Sequence, residues 1–115
     1  MRGVLPTPYA EQVLDLVARI PAGRVVTYGD VAGAVGGSAL SVGRVMSRFG
    51  SGVPWWRVIN AQGRISIPWS EGAQEQRRRL VAEGIPIDDT FRLDLRTYDA
   101  EMIVYEKKRR AGTRE

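Results

Sequence analysis

Apolar residues recur at helical spacing near the start of the chain. Thr7 is a good N-cap residue, and Pro8 is suited to the first helical position. Pro21 and Gly23 end the periodic run. The apolar stripe between these signals consists of Ala10, Val13, Leu14, Val17 and Ile20. This pattern predicts an amphipathic first helix.

Two more short helices are predicted before residue 50. Thr27 caps the second helix, with Asp30 three residues later in a near capping-box pattern, and Ser38 caps the third, which runs to about Phe49. Gly36-Gly37 separates them. Their apolar faces are Tyr28, Val31, Ala32 and Val35 on the second helix, and Val42, Val45, Met46 and Phe49 on the third. Two helices joined by a glycine turn, the second with a polar and basic outer face, are typical of a helix-turn-helix. A small helical domain without DNA-binding function also fits this periodicity.

The middle of the chain predicts β-structure. After the connection Gly50-Ser51-Gly52, residues 56–60 and 64–67 are expected to be two short strands around Ala61-Gln62-Gly63. A hairpin after a helix-turn-helix indicates a winged helix. We therefore expect a mainly α domain with a small β-hairpin, a winged helix-turn-helix-like single domain over residues 1–105, and a basic tail over residues 106–115.

The C-terminal third is predicted to hold one more helix. Ser70 is expected to cap it, it runs to Glu83, and Gly84 is a good C-cap. Beyond it, Phe91, Leu93 and Leu95 alternate with charged residues. That alternation fits either a strand or an ordered loop with three apolar anchors.

Composition narrows the possible chemistry. The chain has 115 residues and a 43% hydrophobic fraction, which fits one compact domain. It contains no cysteine and no histidine, which excludes disulfides, thiolate metal sites and a cysteine nucleophile, and removes the usual proton-transfer side chain. We expect no metal and no cofactor. With no signal-peptide core and no apolar run of the ~18 residues that a membrane span needs, we expect no membrane association and a cytoplasmic location, at the nucleoid when bound to DNA.

The charge balance suggests a polyanionic partner. There are 17 Lys and Arg against 13 Asp and Glu, a net charge of +4, and the pI is about 10.0. A basic domain of this kind often binds nucleic acid. A soluble basic protein with a charged tail remains open, because part of the excess lies in Lys107-Lys108-Arg109-Arg110.

One segment resembles a known active site. Pro54-Trp55-Trp56-Arg57-Val58 resembles the Pro-Cys-His-Arg-Val signature of the O6-alkylguanine-DNA alkyltransferases, with Trp55 at the reactive cysteine and Trp56 at the adjacent histidine. Further segments, in order over roughly residues 9 to 87, match the same family: 20–32, 39–43 and 80–84. The chain is most similar to the alkyltransferase-like branch. Those proteins lack the cysteine, bind O6-alkylguanine in DNA without removing the alkyl group, and are thought to pass the lesion to nucleotide excision repair.

The resemblance implies a DNA-contacting surface. Tyr28 matches the tyrosine that turns the target nucleotide out of the helix, although a tyrosine packed on the core would fit the same position. The third helix is expected in the minor groove, where Arg44 and Arg48 reach phosphates unless they form only a solvated face. The DNA-binding residues implied are Thr27, Tyr28, Leu40, Ser41, Gly43, Arg44 and Arg48.

Leu40 departs from the family pattern. It stands where the family has an arginine that fills the gap left by the extruded base. Leucine can wedge between base steps but cannot hydrogen-bond the orphaned cytosine. We expect base extrusion to be supported less strongly, or Arg44 to assist.

The resemblance also implies a pocket for the extruded base. Its expected lining residues are Tyr28, Trp55, Val58 and Trp69. Successive side chains of an extended segment face opposite ways, so at most one of the two adjacent tryptophans lines it. We assign Trp55 to the pocket, although core filling by both is the plainer alternative. The expected supporting residues are Trp56, Arg57, Asn60 and Glu83, with Glu83 pairing with Arg57 or accepting from an indole N–H.

These features predict a non-enzymatic sensor, expected to be a monomer, that binds double-stranded DNA containing O6-alkylguanine. It would flip the lesion into an aromatic pocket and flag it for nucleotide excision repair proteins. The alternative is a winged-helix regulator or architectural protein without a lesion pocket. A transferase with another nucleophile is disfavoured, because no histidine is present to activate a hydroxyl.

Overall fold

The computed structural model describes residues 5–65 and 70–100. The elements are α1 (Pro8–Ala18), β1 (Val26–Thr27), α2 (Tyr28–Val35), α3 (Ala39–Phe49), 3-10 turns at Gly50–Gly52 and Trp55–Arg57, β2 (Val58–Ile59), α4 (Ser70–Ala82) and α5 (Leu95–Tyr98). The mainly helical architecture with a small β element is confirmed. None of the helices within the described ranges is long and apolar enough to cross a bilayer.

The first three helices begin at the residues that the sequence predicts. Thr7 Oγ1 accepts from the Ala10 N–H at 3.1 Å at the start of α1. Thr27 and Asp30 form a complete capping box on α2, and Ser38 and Ser41 form another on α3. These reciprocal bonds satisfy N–H groups that the first turn of a helix otherwise leaves without partners.

Helices α1, α2 and α3 enclose one apolar cluster, which we call the first core. Its buried members are Ala10, Val13, Leu16, Val17, Ile20, Val26, Val31, Val42, Val45, Val58 and Ala100. Leu16 is fully buried although the predicted stripe omitted it, and Leu14 only packs against the edge of the cluster. The turn between α2 and α3 requires Gly37, because its φ is +82° and an added Cβ would lie 2.4 Å from the Tyr9 hydroxyl.

The predicted β-hairpin is not the strand pairing that forms. β2 pairs in parallel with β1, with Val26 opposite Val58 and Thr27 opposite Ile59. The reversal at Asn60 does exist, since the Gly63 N–H donates to the Asn60 carbonyl at 3.0 Å. The backbone of Arg64, however, forms an isolated antiparallel β-bridge with Arg92 and does not continue a ladder with β2. Since Trp55–Arg57 winds into a 3-10 turn, only Val58 and Ile59 of the expected first strand are extended as a strand. Residues 66 and 67 of the expected second strand lie outside the described residues.

A second core lies between α4 and the segment that follows it. Its buried members are Val25, Ile59, Ile65, Ala73, Leu80, Ile85, Ile87 and Leu93. Helix α4 is followed by Gly84 at φ +91°, where the Ile85 N–H reaches back to the Leu80 carbonyl at 3.1 Å. Gly84 thus provides the predicted left-handed C-terminal cap.

Of the two possibilities for residues 91–95, the ordered loop is the one that forms. Leu93 is buried, while Phe91 and Leu95 pack against the second core. Phe91 adopts a φ of +62°, which an extended strand does not contain. The expected basic tail at residues 106–115, and its boundary with the domain, lie outside the described residues.

Candidate nucleic-acid interface

An open groove of about 830 Å³ runs between the start of α2 and the exposed face of α3. The residues that line it are Tyr28, Ala39, Leu40, Gly43, Arg44, Ser47 and Arg48. The lining contains two arginines and no carboxylate. Five of the seven expected DNA-binding residues therefore share one concave, positively charged surface, which is suited to a polyanion.

Tyr28 is anchored at one wall of this groove. It is the first residue of α2, and its ring packs against the first core. Burial raises the pKa of its phenol above the ordinary value of 10.0. The hydroxyl is therefore a neutral hydrogen-bond donor at physiological pH, and no described residue accepts from it. Tyr28 packs on the core and also lines the groove, so core packing leaves it available for the expected contact with a nucleotide, which stays a prediction.

Leu40 and Arg44 line the groove from α3. They lie one turn apart on α3, so their side chains share a face. Leu40 is 65% exposed. Arg44 is exposed and has no ion-pair partner among the described residues. Arg48 is also exposed, with its guanidinium 5.8 Å from the centre of the Phe49 ring.

Gly43 leaves empty space in the groove. A Cβ built at this position would meet no atom within 4 Å outside its own helix backbone. Packing within the described chain therefore does not require a glycine here. Glycine inside a helix costs about 1 kcal/mol relative to alanine. An open surface at this point fits the close approach of an external partner.

Thr27 and Ser41 have internal tasks that differ from direct DNA contact. Thr27 is 8% exposed, and its hydroxyl accepts from the Asp30 N–H at 2.9 Å. The Ser41 hydroxyl accepts from the Ser38 N–H at 2.9 Å and lies 2.9 Å from the Tyr9 hydroxyl. Neither residue lines the groove. The structure shows both residues in helix capping, and their expected contact with DNA stays a prediction.

The two adjacent tryptophans occupy different environments. Their rings meet edge to face, with centroids 5.9 Å apart and planes at 87°. Trp56 packs against the second core, whereas Trp55 belongs to neither core and is half-buried. The division arises in a 3-10 turn, not in the extended segment assumed from the sequence. Trp55 is not turned into the interior, but it also does not line the groove beside Tyr28.

Glu83, at the end of α4, hydrogen-bonds both Trp56 and Arg57. Its carboxylate accepts from the Trp56 indole N–H at 2.8 Å and from Arg57 Nη2 at 2.6 Å. The Gly23 N–H donates to the same carboxylate at 2.9 Å. Arg57 continues the network through a 2.7 Å bond from Nη1 to the Ile20 carbonyl. Both of the partners expected for Glu83, Arg57 and an indole N–H, are present together.

The electrostatics of Glu83 follow from these contacts. Burial by itself would raise the pKa of the carboxyl, but the hydrogen bonds from Arg57, Gly23 and Trp56 outweigh it. The net pKa is lowered, so Glu83 is ionised at neutral pH. A carboxylate with all its acceptor sites occupied has a supporting task and is not free to act as a base.

Asn60 and Val58 complete the segment. The Asn60 side-chain oxygen accepts from the N–H groups of Gln62 and Arg64 at 3.0 and 2.9 Å, which fixes the following turn. Val58 is 1% exposed within the first core. An extruded base cannot touch it in this arrangement, which corrects its expected place in the pocket lining. Trp69, the remaining expected pocket residue, lies outside the described residues.

Two supporting residues were not identified from the sequence. Gln76 is 2% exposed, and its side-chain nitrogen donates to the carbonyls of Trp56 and Val58 at 3.0 Å each. The signal was available, because Gln76 lies between Ala73 and Leu80 on the buried stripe of α4. Arg79 places its guanidinium 4.6 Å from the Trp56 ring and 6.0 Å from the Trp55 ring.

The described residues contain no group of three or more Asp, Glu, His or Cys side chains arranged to hold a metal ion. What they present is a basic groove lined by a tyrosine that packs on the first core, and a separate tryptophan turn held by hydrogen bonds to Glu83.

The sequence and the structure are similar to those of known DNA-binding proteins. The family described as 6-O-methylguanine DNA methyltransferase, DNA binding domain, matches residues 8–85. A DNA base-flipping protein of Escherichia coli is 42% identical over 94 residues, which cover 78% of this chain and 72% of that protein. Alkyltransferase-like protein 1 of Schizosaccharomyces pombe is 42% identical over 96 residues, covering 76% and 89%. The crystal structure of S. pombe Atl1 with damaged DNA containing O6-carboxymethylguanine matches with a TM-score of 0.73 at 39% identity, over 79% of this chain and 93% of that one.

Proposed function

This chain belongs to the family of the 6-O-methylguanine DNA methyltransferase DNA-binding domain, and from that premise we propose that it is a non-enzymatic sensor of O6-alkylguanine in duplex DNA. It flips the modified base out of the stack, holds it reversibly and leaves the alkyl group in place. The groove that joins Tyr28 to the arginine-bearing face of α3 is the observation that carries this proposal.

The groove supports the DNA-binding step. Arg44 and Arg48 are exposed cations in a lining without carboxylates, so they can neutralise phosphates on entry of the duplex. Tyr28 presents a neutral phenol that can donate to a phosphate at the start of α2. The named relatives, a base-flipping protein and an alkyltransferase-like protein, support the same step.

The chain's composition supports binding without alkyl transfer. We assign Trp55 to the position of the reactive cysteine from the resemblance of residues 54–58 to the family signature, and the sequence contains no cysteine or histidine. An indole has no nucleophilic sulfur to accept an alkyl group. Glu83 is the carboxylate that hydrogen-bonds this segment within the described ranges, and Arg57, Trp56 and Gly23 all donate to it.

Capture of the flipped base is assigned to Trp55. Flipping costs a few kcal/mol, and stacking a base on an aromatic side chain returns roughly 1–3 kcal/mol. Trp55 is half-buried and outside both cores, so its ring has surface to offer, while Trp56 is committed to Glu83. Trp69 is proposed as a second aromatic wall on the resemblance alone.

Recognition without repair requires a second activity. Because the alkyl group stays on the base, another system must excise the damaged nucleotide. We propose that the bound complex marks the site for nucleotide excision repair proteins.

The winged-helix regulator is the weaker candidate. Its defining feature would be a β-hairpin wing beside the helix-turn-helix, and in the described residues β2 pairs with β1 instead. It also gives no reason for a tryptophan turn held by Glu83.

The deciding experiment is a binding comparison on matched duplexes. One duplex carries a single O6-methylguanine, and the other carries guanine at the same position, both at one stated salt concentration. We expect roughly tenfold or tighter binding to the lesion duplex, with no mass added to the protein afterwards by mass spectrometry. Equal affinities for the two duplexes, or an alkylated protein, would overturn the proposal. Selection of a defined sequence from random duplexes would support the regulator instead.

A further inference from the structure

Helix α4 contacts the tryptophan turn through three polar side chains. Gln76, Arg79 and Glu83 are spaced three and four positions apart, so they share one face of the helix. Arg79 lies over the Trp56 ring, and Glu83 accepts from the Trp56 indole N–H. Gln76 instead binds main chain, because its Nε2 donates to the carbonyls of Trp56 and Val58 at 3.0 Å each.

The two carbonyls are served by one side chain. The described residues place β2 beside β1 alone, and the chain after Asn60 does not return as a hairpin partner. The primary amide of Gln76 carries two N–H donors on a single nitrogen, which is enough for both carbonyls. Since Gln76 is 2% exposed and Val58 is 1% exposed, an apolar side chain here would leave a buried acceptor without this donor. Gln76 thus fixes the main chain on both sides of Arg57.

The place of the Trp55 ring depends on that main chain. Trp55 is half-buried and belongs to neither core. Among the described residues no hydrogen bond is made by its indole, and its ring contacts are the edge of Trp56 at 5.9 Å and the Arg79 guanidinium at 6.0 Å. The path of residues 55–58 therefore decides where this ring lies.

Resting on the proposed function, we propose that Gln76 is a positioning residue for lesion recognition, which holds the Trp55 ring where the flipped base stacks. Gln76 is buried and does not line the groove, so it acts without touching DNA. The groove itself is built on α2 and α3, which are separate elements from α4. Loss of the Gln76 amide should therefore reduce the extra affinity for the lesion and leave affinity for undamaged DNA in place.

The test compares Gln76→Met, which keeps the length of the side chain and removes both donors, with Gln74→Met on the exposed side of α4. The full chain and both variants are titrated with duplexes carrying O6-methylguanine or guanine, well below every thermal midpoint. We expect Gln76→Met to lower the ratio of lesion to undamaged affinity about fivefold or more, the range that base stacking covers. Gln74→Met should keep the parent's ratio. Ile87→Val, in the second core, controls for a lowered midpoint and should also keep the ratio.

Gln76→Glu adds a pH readout that a purely structural role would not move. The protonated acid has one donor and the carboxylate has none, and burial opposite two carbonyls raises the pKa of such a carboxyl. Of the charged groups around the turn, Arg57 is paired with Glu83. Arg79 is paired with Glu75, so neither cation is free to oppose this rise. The variant's lesion preference should be lost at about pH 8 and recover in part near about pH 5, while the parent, which has no histidine or cysteine, stays constant.

The outcomes separate this proposal from the proposed function. If Gln76→Met lowers the thermal midpoint but keeps the parent's lesion preference, or loses affinity for both duplexes equally, Gln76 only stabilises the fold and the positioning role is wrong. If Gln76→Met does not fold, Gln76→Glu decides, and a lesion preference that does not change with pH overturns the proposal. In each of these cases the sensor stands as long as the parent prefers the lesion duplex. A parent without that preference would remove both proposals.

Discussion

Trp56 and Glu83 are joined by a 2.8 Å hydrogen bond from the indole Nε1 to the carboxylate Oε2. The same carboxylate binds Arg57 and the Gly23 N–H, so it connects the end of α4, the 3-10 turn and the loop after α1. An indole here keeps a donor directed at a glutamate while removing any group that could exchange protons near neutral pH. The turn that carries Trp55 is thereby held in place by the hydrogen bonds of Glu83.

Glu83→Gln should destabilise the fold by on the order of 2 kcal/mol at neutral pH. The amide keeps the shape but loses the charge, and it introduces donors opposite Arg57 and Trp56. The Arg57 and Glu83 side chains are 15% and 14% exposed, so the loss should fall below that of a fully buried pair. Urea unfolding of both proteins measures the difference.

The pH dependence of that difference carries a definite sign. The pKa of Glu83 is lowered from its ordinary value of 4.5. Its stabilisation is therefore fully present above about pH 4.5 and is lost as the pH falls through the lower folded-state pKa. The gap in unfolding free energy between parent and Glu83→Gln should shrink in that acidic window. A gap that stays constant down to strong acid would show that the charge does not contribute.

Trp56→Ala should mainly lower stability, whereas Trp55→Ala should mainly lower the preference for lesion DNA. Trp56 packs on the second core and binds Glu83, so its removal should cost about 3 kcal/mol of stability. Trp55 lies outside both cores, so its removal should cost clearly less stability but reduce the ratio of lesion to undamaged affinity roughly tenfold. Unfolding curves and paired titrations give both quantities. Equal loss of lesion and undamaged binding in Trp55→Ala would remove Trp55 from the pocket.

The elements that sequence predicted well are those with local signals. Thr7 and Ser38 predict helix starts because a capping hydroxyl accepts from an N–H group only two or three residues away. Gly84 predicts a helix end because the left-handed conformation that glycine favours is a property of that one residue. The β-hairpin was predicted wrongly, because the strand at Val58 pairs with β1 and not with the segment that follows it. Val26 and Val58 are paired although they are 32 positions apart in the sequence, and local propensity carries no information about so distant a partner.

In the candidate site, too, residues with local sequence signals were predicted well, and residues whose positions depend on distant partners were not. Tyr28, Leu40 and Arg44 were placed together correctly because one helix-turn-helix carries them all. Gln76 was missed because glutamine is usually exposed, and its burial depends on two carbonyls of a distant turn. Val58 was misplaced because parallel pairing with β1 draws it into the first core.

Tyr28→Phe should weaken binding to DNA about tenfold without loss of stability. The phenol has no acceptor among the described residues, so its donor is available to an external group such as a phosphate. Since the pKa is raised above 10.0, the effect should be constant between about pH 7 and pH 9. Tyr98→Phe is the control, because Tyr98 packs on the second core and does not line the groove. Unchanged affinity in Tyr28→Phe would leave Tyr28 only its packing role.

Gly43→Ala tests whether the groove is shaped for a partner. An added Cβ at either Gly43 or Gly33 meets no atom within 4 Å, and both glycines lie inside helices. Each substitution should therefore stabilise the fold by about 0.5–1 kcal/mol. Only Gly43 lines the groove, so only Gly43→Ala should weaken DNA binding, by about tenfold if the helix approaches the sugar-phosphate walls closely. Thermal midpoints and titrations of both variants decide the matter. Should both bind DNA as the parent does, the open surface at Gly43 would not be a contact surface, and α3 would approach DNA elsewhere.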